Sequence, residues 1–181
     1  MHIMIDCETL GVGPTAALLQ IAAVAFEPVN GGKVLNKQVF NQYVKPHQEA
    51  TVDAGTLGFW LSQSEAARKN LVGGLKRARA EQGVLLDFIN WPAQMDLSWN
   101  NIGGVWSHGS TADLTWLMSA FVRNNYLVPW HYRAPRDTRT LFEIVGGQPK
   151  VNDNTLVHHD ASHDILAQVT MVQEAMGRLG R

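Results

Sequence analysis

A chain of 181 residues, 45% hydrophobic and 17% charged, can bury a core and is not disordered in composition. Its formal net charge of −1 excludes coating of nucleic acid by bulk charge, though not local basic patches. No run is apolar enough to span a bilayer, no signal-peptide pattern opens the chain, and one cysteine forms no internal disulfide, so a cytoplasmic protein with no membrane partner is expected.

The opening stretch, Met1 to Gly11 (MHIMIDCETLG), reads as a buried strand running into Asp6, Cys7 and Glu8. Alternation along a strand puts Asp6 and Glu8 on one face, with Ile5 and Cys7 on the other. Two carboxylates on one face repel, and a divalent cation would compensate them; two solvated acids in a loop are the plainer reading. Leu10 and Gly11 then turn the chain. Ala17 to Phe26, with Gln20 its single polar residue, is the second strand, and Val34 to Val44 the third, joined through Asn30-Gly31-Gly32. Short turns between them imply an antiparallel meander.

Past Asp53 and the aromatic Gly58-Phe59-Trp60-Leu61, Ser64 caps a helix to Val72. Gly73-Gly74 separates it from a second helix, Leu75 to Asn90, ended by Pro92. Lys69, Lys76, Arg77 and Arg79 form either a solvated face or a phosphate-facing patch. Val105 to His108 is a short strand expected beside the first and parallel to it. Gly109 breaks it, and Ser110 is placed to cap a helix from Thr111 carrying Leu114, Leu117, Met118 and Phe121. Asp113, in its first turn, would either favour the helix dipole or lie near Asp6 and Glu8.

Tyr132 to Thr140 carries Arg133, Arg136 and Arg139, and a short helix follows from Asp137 to Val145, with Asp137 as its N-cap or paired to an arginine. Val151 to Leu156 reads as a loop. The last helix shows one apolar stripe, Ile165, Val169, Val172, Met176 and Leu179, with Asp164 at its margin. Were His159 and Asp164 both helical, they would diverge by about 140°. His159 therefore belongs in the loop before the helix, folded back over the same site. The predicted class is α/β, a mixed central sheet of an antiparallel meander plus parallel strands flanked by helices, in one domain over residues 1–181.

D-x-E after the first strand, an acid in the helix after the fourth, and H-x-A-x-x-D on the C-terminal helix resemble the DEDDh group of DnaQ-like 3′–5′ exonucleases. These motifs stand as Asp6 with Glu8, Asp113, and His159 with Asp164. IDCETLG, TLGFWLSQ, VWSHGSTADLTWL, PWHYRAPRDTRTL and HDASHDILAQ narrow the likeness to small phage exonucleases and the bacterial 3′–5′ exoribonuclease-like domain. Ala112 departs from it, since the family usually has phenylalanine before this aspartate.

The resemblance implies an RNase H-like fold and hydrolysis of phosphodiester bonds from the 3′ end of single-stranded DNA or RNA, releasing nucleoside 5′-monophosphates. It implies two Mg²⁺ or Mn²⁺ ions roughly 3.5–4 Å apart, stabilising the attacking and leaving oxygens. Asp6 would bridge both, Glu8 and Asp164 would complete one site, and Asp113 would hold the other largely through water. His159 would take the proton of the attacking water, as an imidazole with an unperturbed pKa of about 6.5 can. Leu10, Trp60 and His108 are candidates for substrate contact; Trp60 suits the core equally well. Related enzymes are often dimers, so a homodimer is admitted. A binding module of the same fold without catalysis, or a hydrolase of very short oligonucleotides, are the alternatives.

Overall fold

The computed structural model describes residues 1–151 and 160–181. The opening strand, β1 (His2–Thr9), lies inside a mixed sheet. β2 (Leu18–Phe26) pairs antiparallel with it, and β3 (Phe40–Lys45) antiparallel with β2. β4 (Arg79–Ala80) adds a short parallel edge to β3, while β5 (Val105–Ser107) and β6 (Pro135–Asp137) extend the other side in parallel. The order is β4-β3-β2-β1-β5-β6, the predicted meander with parallel strands outside it.

The helices are α1 (Ala54–Ser62), α2 (Glu65–Leu75), α3 (Glu81–Asn90), α4 (Asp113–Arg123), α5 (Thr138–Ile144) and α6 (Ala161–Arg178). The pleat of β1 divides the core between them. Ile3, Ile5 and Cys7 cluster with Val84, Leu85 and Phe88 of α3 and Leu114, Leu117 and Phe121 of α4. Met4 faces the other way and clusters with Leu141 and Phe142 of α5 and Ile165, Val169 and Val172 of α6. Asp6 and Glu8 continue the Met4 row, beneath α6. No helix among the described residues is long and apolar enough to cross a membrane.

Several boundaries differ from those predicted, each for a local reason. The third strand does not begin at Val34, which makes only an isolated bridge to Phe26; Asn36–Gln38 wind into a 3-10 turn, and pairing starts at Phe40. Three consecutive polar residues break the alternation a half-buried strand needs. Gly73-Gly74 does not divide two helices, because α2 runs through both. A Cβ on Gly74 would collide with the Tyr43 ring, so this glycine lets α2 lie close against β3. The next helix starts at Glu81 rather than Leu75, since Arg79 and Ala80 pair with β3.

α1 forms where no helix is predicted. Its signal is Asp53, whose Oδ1 accepts from Thr56 N at 3.0 Å, and the poor helix formers Gly55 and Gly58 obscure it. Ser110 does not cap α4, whose N-cap position is Ala112; Ser110 N donates instead to Asp137 Oδ2 at 2.6 Å. Asp137 is the N-cap of α5, one of its two expected roles. Leu179 lies beyond the last helix and is exposed, outside the stripe expected to hold it. Lys69 pairs with Glu65 and Arg79 with Asp87, all of them exposed, as on a solvated face.

Candidate active site

Three elements bring acids to the C-terminal end of β1. The strand presents Asp6 and Glu8, opposite Ala22 and Gln20 of β2. α6 supplies Asp164 from its first turn, where Asp160 caps the helix by accepting from Ser162 N. One carboxylate oxygen from each of Asp6, Glu8 and Asp164 lies within 4.8 Å of the others.

Asp113 arrives from another direction. β5 pairs with β1 only as far as Met4 and then turns away, leaving the later main-chain groups of β1 to find other partners. Asp113 supplies one, its Oδ1 accepting from Cys7 N at 3.1 Å. It is outside the trio but shares a cavity with it, together with His108, Arg139 and Gln168.

Burial and mutual repulsion make these acids hard to ionise. Burial, then the charges of Asp113 and Glu8, raise the Asp6 carboxyl well above the usual range, against the hydrogen bond from Gln168 Nε2 at 2.8 Å. Burial and the neighbouring Asp164 push Glu8 up to about 8. Burial raises Asp113 to about 7, opposed by the Cys7 N–H and by attraction to Arg139. The Cys7 thiol is also pushed up, first by burial and then by the aspartates beside it. His108 is pushed down by burial and by Arg139, and its Nδ1 lies 2.8 Å from Thr138 Oγ1.

This donor set fits a hard divalent cation. Every candidate ligand atom in the trio is a carboxylate oxygen, the type Mg²⁺ and Mn²⁺ prefer, and a cation among them would remove the repulsion that suppresses ionisation.

The structure thus brings Asp6, Glu8, Asp113, Asp164 and His108 to one cavity. Trp60 lines an adjoining cavity with Glu8, Val12 and Trp116; it is buried, and its Nε1 donates to Thr9 O at 2.9 Å. Leu10 stands at the turn after β1, with its main chain bonded to Ala17 O and Asp53 N. His159 and the expected loop after Val151 lie outside the described residues. Gln168, Arg139 and Trp116 were not predicted. Only Gln168 carried a signal, one helical turn after Asp164 and so on the same face.

Residues 1–176 match the family described as Rv2179c-like, the 3′-5′ exoribonuclease Rv2179c-like domain. An exodeoxyribonuclease of Enterobacteria phage T4 is 27% identical over 207 residues, covering 96% of this chain and 88% of the relative. Among solved structures, cell-death related nuclease 4 superposes with a TM-score of 0.70 at 18% identity, over 97% of this chain; the chain spans 63% of that protein. The nuclease domain of 3′hExo, a DEDDh family member bound to rAMP, superposes with a TM-score of 0.62 at 16% identity, over 98% of this chain and 92% of that one. The shared architecture is the predicted RNase H-like fold.

Proposed function

This chain belongs to the 3′-5′ exoribonuclease Rv2179c-like domain family and is a 3′-5′ exonuclease, and from that premise we propose how its acidic cavity works. Asp6, Glu8 and Asp164 would hold one divalent cation, and Asp113, sharing Asp6, would hold a second largely through water; Mg²⁺ or Mn²⁺ would suit both. Cations so placed would activate the attacking water and stabilise charge on the leaving 3′ oxygen. His159 takes the proton from that water. Leu10, Trp60 and His108 contact the terminal nucleotides of a single-stranded 3′ end, and each cycle releases a nucleoside 5′-monophosphate. One domain over residues 1–181 does this work in the cytoplasm, alone or as a homodimer.

The convergence of three half-buried carboxylates from β1 and α6 carries this reading, because crowding acids that are partly withdrawn from water is costly without a cation among them. The family is described by an exoribonuclease and the phage relative is an exodeoxyribonuclease, so the test compares both polymers. Matched 5′-labelled DNA and RNA strands, single and duplex, are incubated with Mg²⁺ or Mn²⁺ and resolved by length. Stepwise shortening from the 3′ end is expected, abolished in Asp6→Ala. Equal digestion by wild type and Asp6→Ala would defeat the proposal, and metal-dependent binding without release would favour a binding module. His159→Ala should lose most turnover while still binding metal.

A further inference from the structure

Arg133, Arg136 and Arg139 recur at three-residue intervals around β6 and the start of α5. Two of them are committed elsewhere. The Arg133 guanidinium lies 5.3 Å from the centroid of the Tyr132 ring. Arg136 Nη1 donates to the main-chain oxygens of Arg133, Ala134 and Pro135. Arg139 differs: its side chain is exposed, lines the acidic cavity, and makes no hydrogen bond or ion pair among the described residues. Beside a histidine held toward its neutral form, it is the cavity's basic side chain.

Its position is built by the fold. Asp137 accepts from Arg139 N at 2.8 Å and Thr140 N at 3.2 Å through Oδ1, and from Ser110 N at 2.6 Å through Oδ2. One carboxylate therefore ties the start of α5 to the turn after β5. In that turn Gly109 has φ +106°, and a Cβ there would stand 3.4 Å from the Arg139 guanidinium carbon. The guanidinium thus lies over the bare backbone of the turn that leads into Asp113.

We propose that Arg139 binds a phosphate of the substrate strand beside the acid cluster, a contact that rests on the exonuclease reading above. Its planar fork can take two phosphate oxygens at once. Charge points the same way. The four acids of the cavity balance two divalent cations, and the arginine then leaves it one charge positive to receive a phosphodiester.

The test uses the full chain with Mn²⁺ and a 5′-labelled single strand, comparing wild type, Arg139→Gln, Arg139→Lys and, as control, Arg133→Gln. In Arg139→Gln, kcat/KM should fall about 30-fold. Its dependence on log salt should become shallower by about 0.7, the share of one phosphate contact. Inhibition by a nucleoside 5′-monophosphate should weaken about tenfold, and inhibition by the nucleoside should not change. Arg139→Lys should keep the salt slope and recover only part of kcat/KM, while Arg133→Gln should match wild type. A wild-type salt slope and monophosphate inhibition in Arg139→Gln overturn the proposal, whatever the rate. If that variant does not fold, wild-type kcat/KM and inhibition in Arg139→Lys overturn it, and a loss in both supports it. A wild-type chain that releases no mononucleotide sinks the exonuclease reading and this contact with it, whereas an active wild type with a silent Arg139 sinks the contact alone.

Discussion

Among the described residues, the acid-bearing regions at the start of α3 and at the end of β1 are built in opposite ways. Glu81, at the start of α3, is 3% exposed and fully met by donors: Arg123 Nε and Nη2 at 2.7 and 2.6 Å, and Asn124 Nδ2 at 2.7 Å. At the end of β1, Asp6 receives an amide from Gln168 and Asp113 a main-chain N–H, both neutral donors, while the acids face one another. The first region carries its own counter-charge and is structural. The second sets a single arginine against four acids, and that shortage of positive charge is what recommends it as the proposed metal site.

Removing one acid from each region tests the contrast most severely. Asp6→Ala should lower turnover by about 1,000-fold or more and abolish any Mn²⁺-induced rise in melting temperature, in strand-shortening and thermal-shift assays. Glu81→Ala should do the reverse. Stranding Arg123 in the interior should cost about 3–5 kcal/mol, on the order of 10 °C in melting temperature, with turnover of the folded enzyme unchanged. Equal loss of activity in both variants would erase the distinction.

Gln168→Ala offers a finer probe. Without its donor, Asp6 becomes still harder to ionise, and a Mn²⁺ titration of activity should shift about tenfold to higher concentration.

The smallest expected effect is that of pH on the metal-free chain. Glu8 at about 8 and Asp113 at about 7 stand above ordinary carboxylates, so the fold favours their protonated forms. Their contribution to stability is complete below the ordinary carboxylate range and is lost as pH rises through those values. In chelator, melting temperature should therefore drop by a few degrees as pH rises from about 5 to about 8, level off above that, and Mn²⁺ should remove the drop. A profile in chelator that is flat, or that rises, would contradict the electrostatics of the cavity. Asp137 has the opposite sign: burial would raise it, but hydrogen bonds from Ser110, Thr140 and Arg139 hold it low. What it adds is lost only as pH falls through its depressed value.

What the sequence discloses follows from how far each signal extends. β1, β2 and α6 carry long apolar patterns, so their faces, and with them Asp6, Glu8 and Asp164, could be assigned before any contact was known. β4 and β6 hold two and three residues, too few for alternation to register, and they exist because a neighbouring strand offers an edge. The Gly73-Gly74 pair has the composition of a break, yet Gly74 serves a close approach to Tyr43 that only the tertiary fold reveals. Arg139 was one of three similar arginines, and its difference appears only when the partners of the other two are known. Ala112, the departure from the related motif, lines the cavity one turn before Trp116, so an aromatic surface remains there without the phenylalanine.

Cys7 is buried in β1 at the wall of the cavity, with its thiolate disfavoured by burial and by the acids around it. It is also the one cysteine of the chain. Maleimides and other thiol reagents should therefore bypass the native protein, and a cysteine introduced on an exposed loop would take a fluorophore selectively. Strand capture and release could then be followed by single-site labelling with no prior removal of native thiols.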